Sequence, residues 1–235
     1  MQRRASDFTG YTIEATDGKV GSISDILFED QNWKLRWFVI NTGSWLMGRK
    51  ILIHPTALEP PDIRQHAFPV SLTKLQVEAS PDLRSDQPVS RQMDQDVSDY
   101  YGYTSIWGDG YYGDMGLGVF GERAYGAKPK HAFVAPNKDE HQLLSVADIK
   151  GFQIHALDGD IGHLDDFLIN DESWTVDFAV VATRNWGMAK HVLISPMYIK
   201  ETDWLAGYVP VALTRYKIRS SPSWRAPDWS DRPGP

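Results

Sequence analysis

The chain contains no cysteine, and this absence removes several kinds of site at once. Disulfide scaffolds, thiolate metal centres, iron–sulfur clusters and cysteine nucleophiles all need a residue type that the sequence does not have. The sequence also lacks an apolar run close to the roughly 20 residues of a membrane-spanning helix. Residues 1–8 are too polar for a secretory signal. We therefore expect a cytoplasmic protein without a transmembrane segment.

Excess positive charge is missing as well, because the formal net charge is −7 at pH 7. A surface of this sign repels nucleic acid unless a local basic patch overrides it, and the sequence has no long run of Lys or Arg. We therefore expect no nucleic-acid partner. The length of 235 residues and the hydrophobic fraction of 42% are typical of one large or two modest globular domains.

An internal repeat organises most of the chain. Residues 10–81 align without a gap to residues 151–222 at an offset of 141 residues, and 24 of the 72 aligned positions are identical. A gapless match of this length predicts a tandem duplication. The predicted division is a first repeat within residues 1–87, a connecting segment at 88–150, the second repeat at 151–222, and a tail at 223–235.

The pattern inside each copy is that of short β-strands. An Asp-Gly pair, at Asp17-Gly18 and again at Asp158-Gly159, lies between runs that favour β-structure and predicts a tight hairpin with both residues in the turn. With this pairing, residue 155 would lie opposite residue 162. The predicted strands of the first copy are residues 11–15, 20–28, 35–40, 51–53 and 68–72.

The ends of these elements are marked by proline and threonine. Pro55 and Pro196 end a strand because proline cannot donate to a ladder. Thr73 and Thr214 are placed to cap a short terminal helix. Five or six short strands in about 70 residues favour a small closed or nearly closed barrel. The predicted fold class is mainly β, with two small barrels in an approximately two-fold arrangement.

Several residues recur in both copies and carry a resemblance to a known family. They are Asp17-Gly18-x-x-Gly21, Asp25, Trp33, Trp45 and Ile51 to Pro55 in the first copy, and Asp158-Gly159-x-x-Gly162, Asp165-Asp166-Phe167, Trp174, Asn185-Trp186 and Val192 to Pro196 in the second. This pattern resembles the PRC-barrel, the module of the cytoplasmic part of the photosynthetic reaction-centre H subunit and of the C-terminal half of a ribosome-maturation factor. It resembles in particular the free-standing bacterial tandem PRC-barrel proteins.

The resemblance implies a non-enzymatic interaction or assembly module without a cofactor, associated with a membrane or photosynthetic-type complex. The partner would be a protein of unknown identity, and a homodimer and peripheral association with a membrane both remain open. The alternative is a stress-related protein that binds a small ligand or a metal in a cleft between the two barrels.

Other motifs give weaker signals. Residues 108–113 and 116–121 match a glycine-rich nucleotide pattern, but neither follows a predicted strand and precedes a helix, so no nucleotide cofactor is expected. The seven histidines and the acidic residues of the second copy lack the spacing of converging metal ligands. Residues 88–101 predict an amphipathic helix, with Ser90 as its N-cap and an apolar face of Met93, Val97, Tyr100 and Tyr101. This helix would pack on a barrel or, alternatively, dock a second chain. The segment 102–126 is rich in glycine and aromatic residues and predicts a loop.

The candidate interaction site is the loop between the third and fourth strands of each copy. Both loops place Trp and Met beside cationic residues, a combination that is enriched at protein interfaces. The alternative is that the two tryptophans fold back and plug the ends of the barrels. The candidate residues are Trp45, Met47 and Arg49 in the first copy and Trp186, Met188 and Lys190 in the second.

Overall fold

The described part of the chain forms two β modules. The computed structural model describes residues 1–62, 64–80, 97, 100–102, 143–183, 190–200 and 206–226. Below, module 1 denotes residues 10–80 and module 2 denotes residues 151–221. The two strands and two helices that precede the modules are treated separately.

The elements of the two halves correspond closely. The first half has β1 (Gln2–Arg4), α1 (Ala5–Phe8), β2 (Thr12–Ala15), β3 (Gly18–Glu29), β4 (Leu35–Asn41), β5 (Lys50–Ile53), a 3₁₀ turn (Pro55–Ala57), β6 (Ala67–Pro69) and α2 (Lys74–Glu78). The second half has β7 (Leu143–Ser145), α3 (Val146–Ile149), β8 (Gln153–Ala156), β9 (Gly159–Asn170), β10 (Thr175–Thr183), β11 (Lys190–Ile194), a 3₁₀ turn (Pro196–Tyr198), β12 (Tyr208–Pro210) and α4 (Arg215–Ser220). Each element begins within one residue of the offset of 141.

The two sheets have the same strand order. In module 1 the order is β5-β4-β3-β2-β6, and in module 2 it is β11-β10-β9-β8-β12. The last pair of each sheet is parallel and the others are antiparallel. The prediction of a mainly β, two-module protein is therefore confirmed.

The prediction was of two closed or nearly closed barrels, but the described ladders form an open path in each module, so the sheets are not closed by continuous strand pairing. Isolated bridges join the segment after β5 to β6 and the residue after it, where Leu58 pairs with Val70 and Asp62 pairs with Ala67, and Ile199 pairs with Val211 in module 2. The 3₁₀ turn diverts the chain after β5, and Pro69 is the last residue of the three-residue strand β6. The described contacts between the two ends of each sheet are therefore isolated bridges and not a continuous ladder.

The first hairpin of each module differs from the predicted turn. Ala15 pairs with Gly18, so Thr16 and Asp17 form the turn and the glycine begins the next strand. Gly18 has φ +128, whereas Asp17 is not in the left-handed region. The Asp17 carboxylate instead accepts a hydrogen bond from the backbone N–H of Lys74, at 2.8 Å. The prediction that both residues of the Asp-Gly pair form the turn was wrong, because Gly18 is already paired with Ala15 and only Asp17 of the pair lies in the turn.

The segments before the two modules are exchanged between them. β1 pairs antiparallel with β9, with Gln2 opposite Asn170, although it precedes module 1. β7 pairs antiparallel with β3, with Leu143 opposite Glu29, although it precedes module 2. We call β1 and α1 the N-terminal arm (residues 2–8), and β7 and α3 the central arm (residues 143–149). The connecting segment predicted for residues 88–150 thus ends in regular structure.

One hydrophobic core runs through both modules. It contains the inward-facing residues of both sheets and the buried residues of both arms. Trp174 of module 2 lies 5.9 Å from Phe8 and 5.4 Å from Phe38, measured between ring centroids. Trp33, its equivalent in module 1, lies 6.1 Å from Phe167 of module 2. Each module therefore inserts a tryptophan towards its neighbour, which agrees with the predicted two-fold arrangement.

The predicted central helix is described only in part. Val97, Tyr100 and Tyr101 are helical, while Ser90 and Met93 lie outside the described residues. Val97 is 1% exposed and packs in a second cluster on the outer face of the module 1 sheet, with Trp37 at its centre. The residues that are described therefore favour the packing interpretation. No helix within the described ranges is both long and apolar enough to cross a bilayer.

Candidate functional site

Asp25 in β3 holds the start of the central arm. Its carboxylate accepts a hydrogen bond from the Ser145 hydroxyl at 2.5 Å and from the Ala147 backbone N–H at 3.1 Å. The first N–H groups of a helix have no partner within the helix, so an acceptor placed here satisfies them. Burial raises the pKa of the Asp25 carboxyl above its ordinary value, although these hydrogen bonds act in the opposite direction. Asp25 therefore links module 1 to the segment that leads into module 2.

Asp166 in β9 performs the reciprocal task for the N-terminal arm. Its carboxylate accepts the hydroxyl of Ser6 at 2.5 Å and the backbone N–H of Ser6 at 3.2 Å. Asp166 is only 4% exposed. The backbone donors Ser6 and Ala147 occupy equivalent positions at the offset of 141. The recurring aspartate of each copy thus caps the helix of the arm that belongs to the other copy.

The long hairpins of the two modules also meet at their tips. The backbone N–H of Leu35 donates to the carbonyl of Trp174 at 2.7 Å, and the N–H of Val176 donates to the carbonyl of Trp33 at 2.8 Å. Trp33 and Trp174 have φ values of 58° and 53°. A positive φ is uncommon for a large residue, and here it accompanies a carbonyl that bonds the other module.

Trp45 in the loop between β4 and β5 is partly buried and packs against the core. The Lys74 ammonium lies 5.3 Å from the centroid of its ring, a cation–π distance. This arrangement agrees with a tryptophan that folds back over the end of the module, which was the alternative interpretation. Its role as an interaction residue is untested and stays a prediction.

Among the candidate residues that the structure describes, Met47 is the most exposed, with its surface 100% accessible. The loop that carries it is held by internal hydrogen bonds. The Thr42 hydroxyl donates to the Arg49 carbonyl at 2.8 Å, and the Gly48 N–H donates to the Gly43 carbonyl at 2.6 Å. Met47 itself has φ 52°. The loop is therefore a defined turn that presents a methionine to the outside.

Arg49 and Lys190 use their cationic groups within their own modules. The Arg49 guanidinium donates to the carbonyl of Glu78 at 2.7 Å and to the carbonyl of Ser80. The Lys190 ammonium donates to the carbonyls at the equivalent positions, Arg219 at 3.0 Å and Ser221. These carbonyls lie at and just beyond the ends of α2 and α4, where unsatisfied carbonyls favour a positive charge. Trp186 and Met188 lie outside the described residues.

Two of the seven histidines, His155 and His191, form separate pairs with aspartates in module 2. His155 lies 3.2 Å from Asp160, and His191 lies 3.2 Å from Asp165. The position of His155 corrects the predicted register, because an irregularity after Gln153 places it opposite Asp160 and not opposite residue 162. Within the described ranges, no group of three or more His, Asp or Glu side chains is arranged to hold a metal.

His54 is a titratable group in module 1 that lies beside the second cluster. Its ring lies 5.4 Å from Trp37 in an edge-on arrangement, and its Nδ1 accepts the N–H of Thr56 at 3.3 Å. Burial lowers the pKa of His54 to about 4, and the charges of Arg36 and Lys34 act in the same direction. The side chain is therefore neutral near pH 7 and serves the 3₁₀ turn that follows β5.

Comparison with known proteins agrees with the architecture of the first half. Residues 1–76 match the family model of the PRC-barrel domain. The match begins with the N-terminal arm and ends within α2. A search of the curated proteins gave no match. Module 2 repeats the strand order and the helix caps of module 1, and a tandem duplication remains our interpretation of the offset.

Proposed function

We propose that this chain is a non-enzymatic interaction module that binds a protein partner through the exposed end of module 1. This end surface consists of Trp45, Met47, Lys74 and Leu75. The observation that carries the proposal is the complete exposure of Met47 on a loop that is fixed by its own hydrogen bonds. An unbranched, polarisable side chain of this kind adapts to many apolar partners.

The neighbouring helix supports the same surface. Leu75 on α2 is 68% exposed, and Lys74 bridges the helix and the loop through its contact with the Trp45 ring. The Arg49 contacts to the end of α2 hold the helix and the loop in a fixed relation. A preformed apolar surface loses little conformational entropy on binding, so it suits a docking role. The fitting partner presents apolar side chains to Met47 and Leu75.

The absence of catalysis is part of this proposal. One recurring pair of carboxylates, Asp25 and Asp166, is engaged at the N-termini of the arm helices. Their positions therefore have a structural explanation that needs no substrate. A cytoplasmic location, and a membrane or photosynthetic-type complex as the partner, are further parts of the proposal that rest on the polar sequence and on the family resemblance.

The alternative of a ligand-binding cleft between the modules has less support. Aromatic rings from both modules fill the region around Trp33 and Trp174, and the hairpin tips are joined there by backbone hydrogen bonds. No observation in the described residues favours a ligand at this junction over the packing that already occupies it.

The proposal is tested by affinity capture from a native lysate with the full chain and a Met47→Ser/Leu75→Ser variant. Both side chains are exposed, so the variant is expected to keep the stability of the parent chain. The matched control is Met197→Ser, which removes a 79% exposed methionine from module 2. The parent chain and the control should retain the same proteins, and the double variant should lose them. Equal retention by all three chains would contradict the proposal.

A further inference from the structure

The contacts between the two halves are reciprocal and pairwise equivalent. Each half sends an arm to the other, and Asp25 and Asp166 each cap the arm helix that belongs to the other half. Each long hairpin also donates one N–H to a tryptophan carbonyl of the other. Such an isologous arrangement, in which the same patch is used twice, is the geometry of a two-fold homodimer. In this chain it is formed between two halves of one polypeptide.

The link between each arm and the module that follows it in the chain is short. Only three residues separate α1 from β2, and three separate α3 from β8. Gly10 is anchored to module 1, since its N–H donates to the Ile23 carbonyl at 2.8 Å, and Gly151 is anchored to Leu164 of module 2 in the same way. Both glycines have φ close to 90°. The chain therefore leaves one module at the glycine and reaches the other module directly.

We propose that each arm binds a site on the other module, which we call its seat, and that these contacts hold two modules of this kind together. The two halves then remain bound to each other without the covalent connection through residues 103–142. The seat of each module is the edge of its long strand, β3 or β9, together with Asp25 or Asp166. The ligand of a seat is the arm of a second module. This inference does not depend on the end surface of module 1.

Each arm covers a strand edge of the other module and donates hydrogen bonds to the carboxylate in that module's seat, so a module without a bound arm has unsatisfied groups. An unoccupied seat exposes the three-residue edge that the arm now covers, Leu27–Glu29 of β3 or Leu168–Asn170 of β9, and exposed edges tend to pair with other chains. It also leaves a carboxylate without the N–H and hydroxyl groups that it now accepts. Because each arm belongs to the other half, neither half can satisfy its own seat with the short link that it has. The interface is therefore completed only by a second module.

The test uses the folded full chain with a protease recognition sequence inserted between Gly126 and Ala127. After cleavage, the two fragments should elute together at the mass of the uncut chain and melt in a single transition. The uncut insertion variant is the control for the effect of the insertion itself. Separation of the fragments at micromolar concentration, whether they are folded or unfolded after separation, would overturn the proposal.

Two double variants show whether the carboxylates of the seats hold the cleaved halves together. Asp25→Ala/Asp166→Ala removes both carboxylates that cap the exchanged arms, and the cleaved variant should dissociate at a concentration roughly tenfold higher or more. Asp17→Ala/Asp158→Ala removes two carboxylates that accept backbone N–H groups within their own modules. This control should leave the dissociation constant of the cleaved chain within about twofold of the parent. An equal weakening by both pairs would show that the seats do not determine the pairing.

Discussion

Two tryptophans at equivalent positions adopt a backbone conformation that large residues rarely use. Trp33 and Trp174 each turn a carbonyl towards the other module while the indole packs into the shared core. The sequence could identify them as a recurring pair, but not their purpose. Their carbonyls accept hydrogen bonds from the other half of the chain, and a pattern read within one repeat does not contain that partner.

His54 gives a prediction for the dependence of stability on pH. Its pKa in the folded protein is about 4, below the ordinary value of 6.5. The unfolded chain therefore binds a proton more readily between these values, so the stabilisation from neutral His54 is complete above pH 6.5 and is lost as the pH falls to about 4. In His54→Phe, the free energy of unfolding should decline less between pH 6.5 and 4 than in the parent chain. Urea denaturation at several pH values measures this slope.

Asp25 is expected to affect the pH dependence of stability in the opposite direction to His54. Its folded pKa is raised, so its contribution to stability is greatest below its ordinary value of 3.8 and is lost as the pH rises through the folded value. Asp25→Asn should therefore steepen the decline in stability on acidification, which is the opposite of the effect of His54→Phe.

Identical slopes for the parent chain and His54→Phe would show that His54 is not held neutral by the fold.

At the scale of the elements, the short terminal helices were predicted well because their signals are local. Thr73 and Thr214 accept the N–H groups of Gln76 and Lys217, as the sequence indicated. The C-terminal ends were not predicted, since the groups that satisfy them come from Arg49, just before β5, and from Lys190, the first residue of β11. Arg49 and Lys190 were selected as interface residues from their type and position, and the contacts to the helix ends are visible only in the fold.

The hydrogen bonds from the Arg49 guanidinium to the carbonyls at the end of α2 lead to a prediction for stability. Arg49→Ala removes the donors at the end of α2 and should lower the free energy of unfolding by about 1 kcal/mol. Arg49→Lys should cost much less, because Lys190 makes the same contacts in module 2. Chemical denaturation of the three chains measures the difference. If the lysine variant is as unstable as the alanine variant, the helix-end contact does not explain the position.

At the scale of the whole molecule, the strands of each module could be read from the sequence, but their exchange could not. The alignment of the copies began at Gly10 and Gly151, after the arms. A signal was present before them, since Asp7 and Asp148 are also identical at the same offset and Phe8 and Ile149 are both apolar. A three-residue strand is too short for its periodicity to show its partner. The choice of sheet edge depends on tertiary contacts.

The exchange of the arms is tested most directly by disulfide trapping, which the absence of native cysteine makes unambiguous. Gln2 lies opposite Asn170 in the exchanged arrangement, whereas an arm that folded back onto its own module would place Gln2 opposite Glu29, the partner of Leu143. Facing residues of antiparallel strands are within the range of a disulfide. Gln2→Cys/Asn170→Cys should therefore form an intramolecular disulfide at the mass of one chain, and Gln2→Cys/Glu29→Cys should form none. The reverse result would contradict the exchanged arrangement.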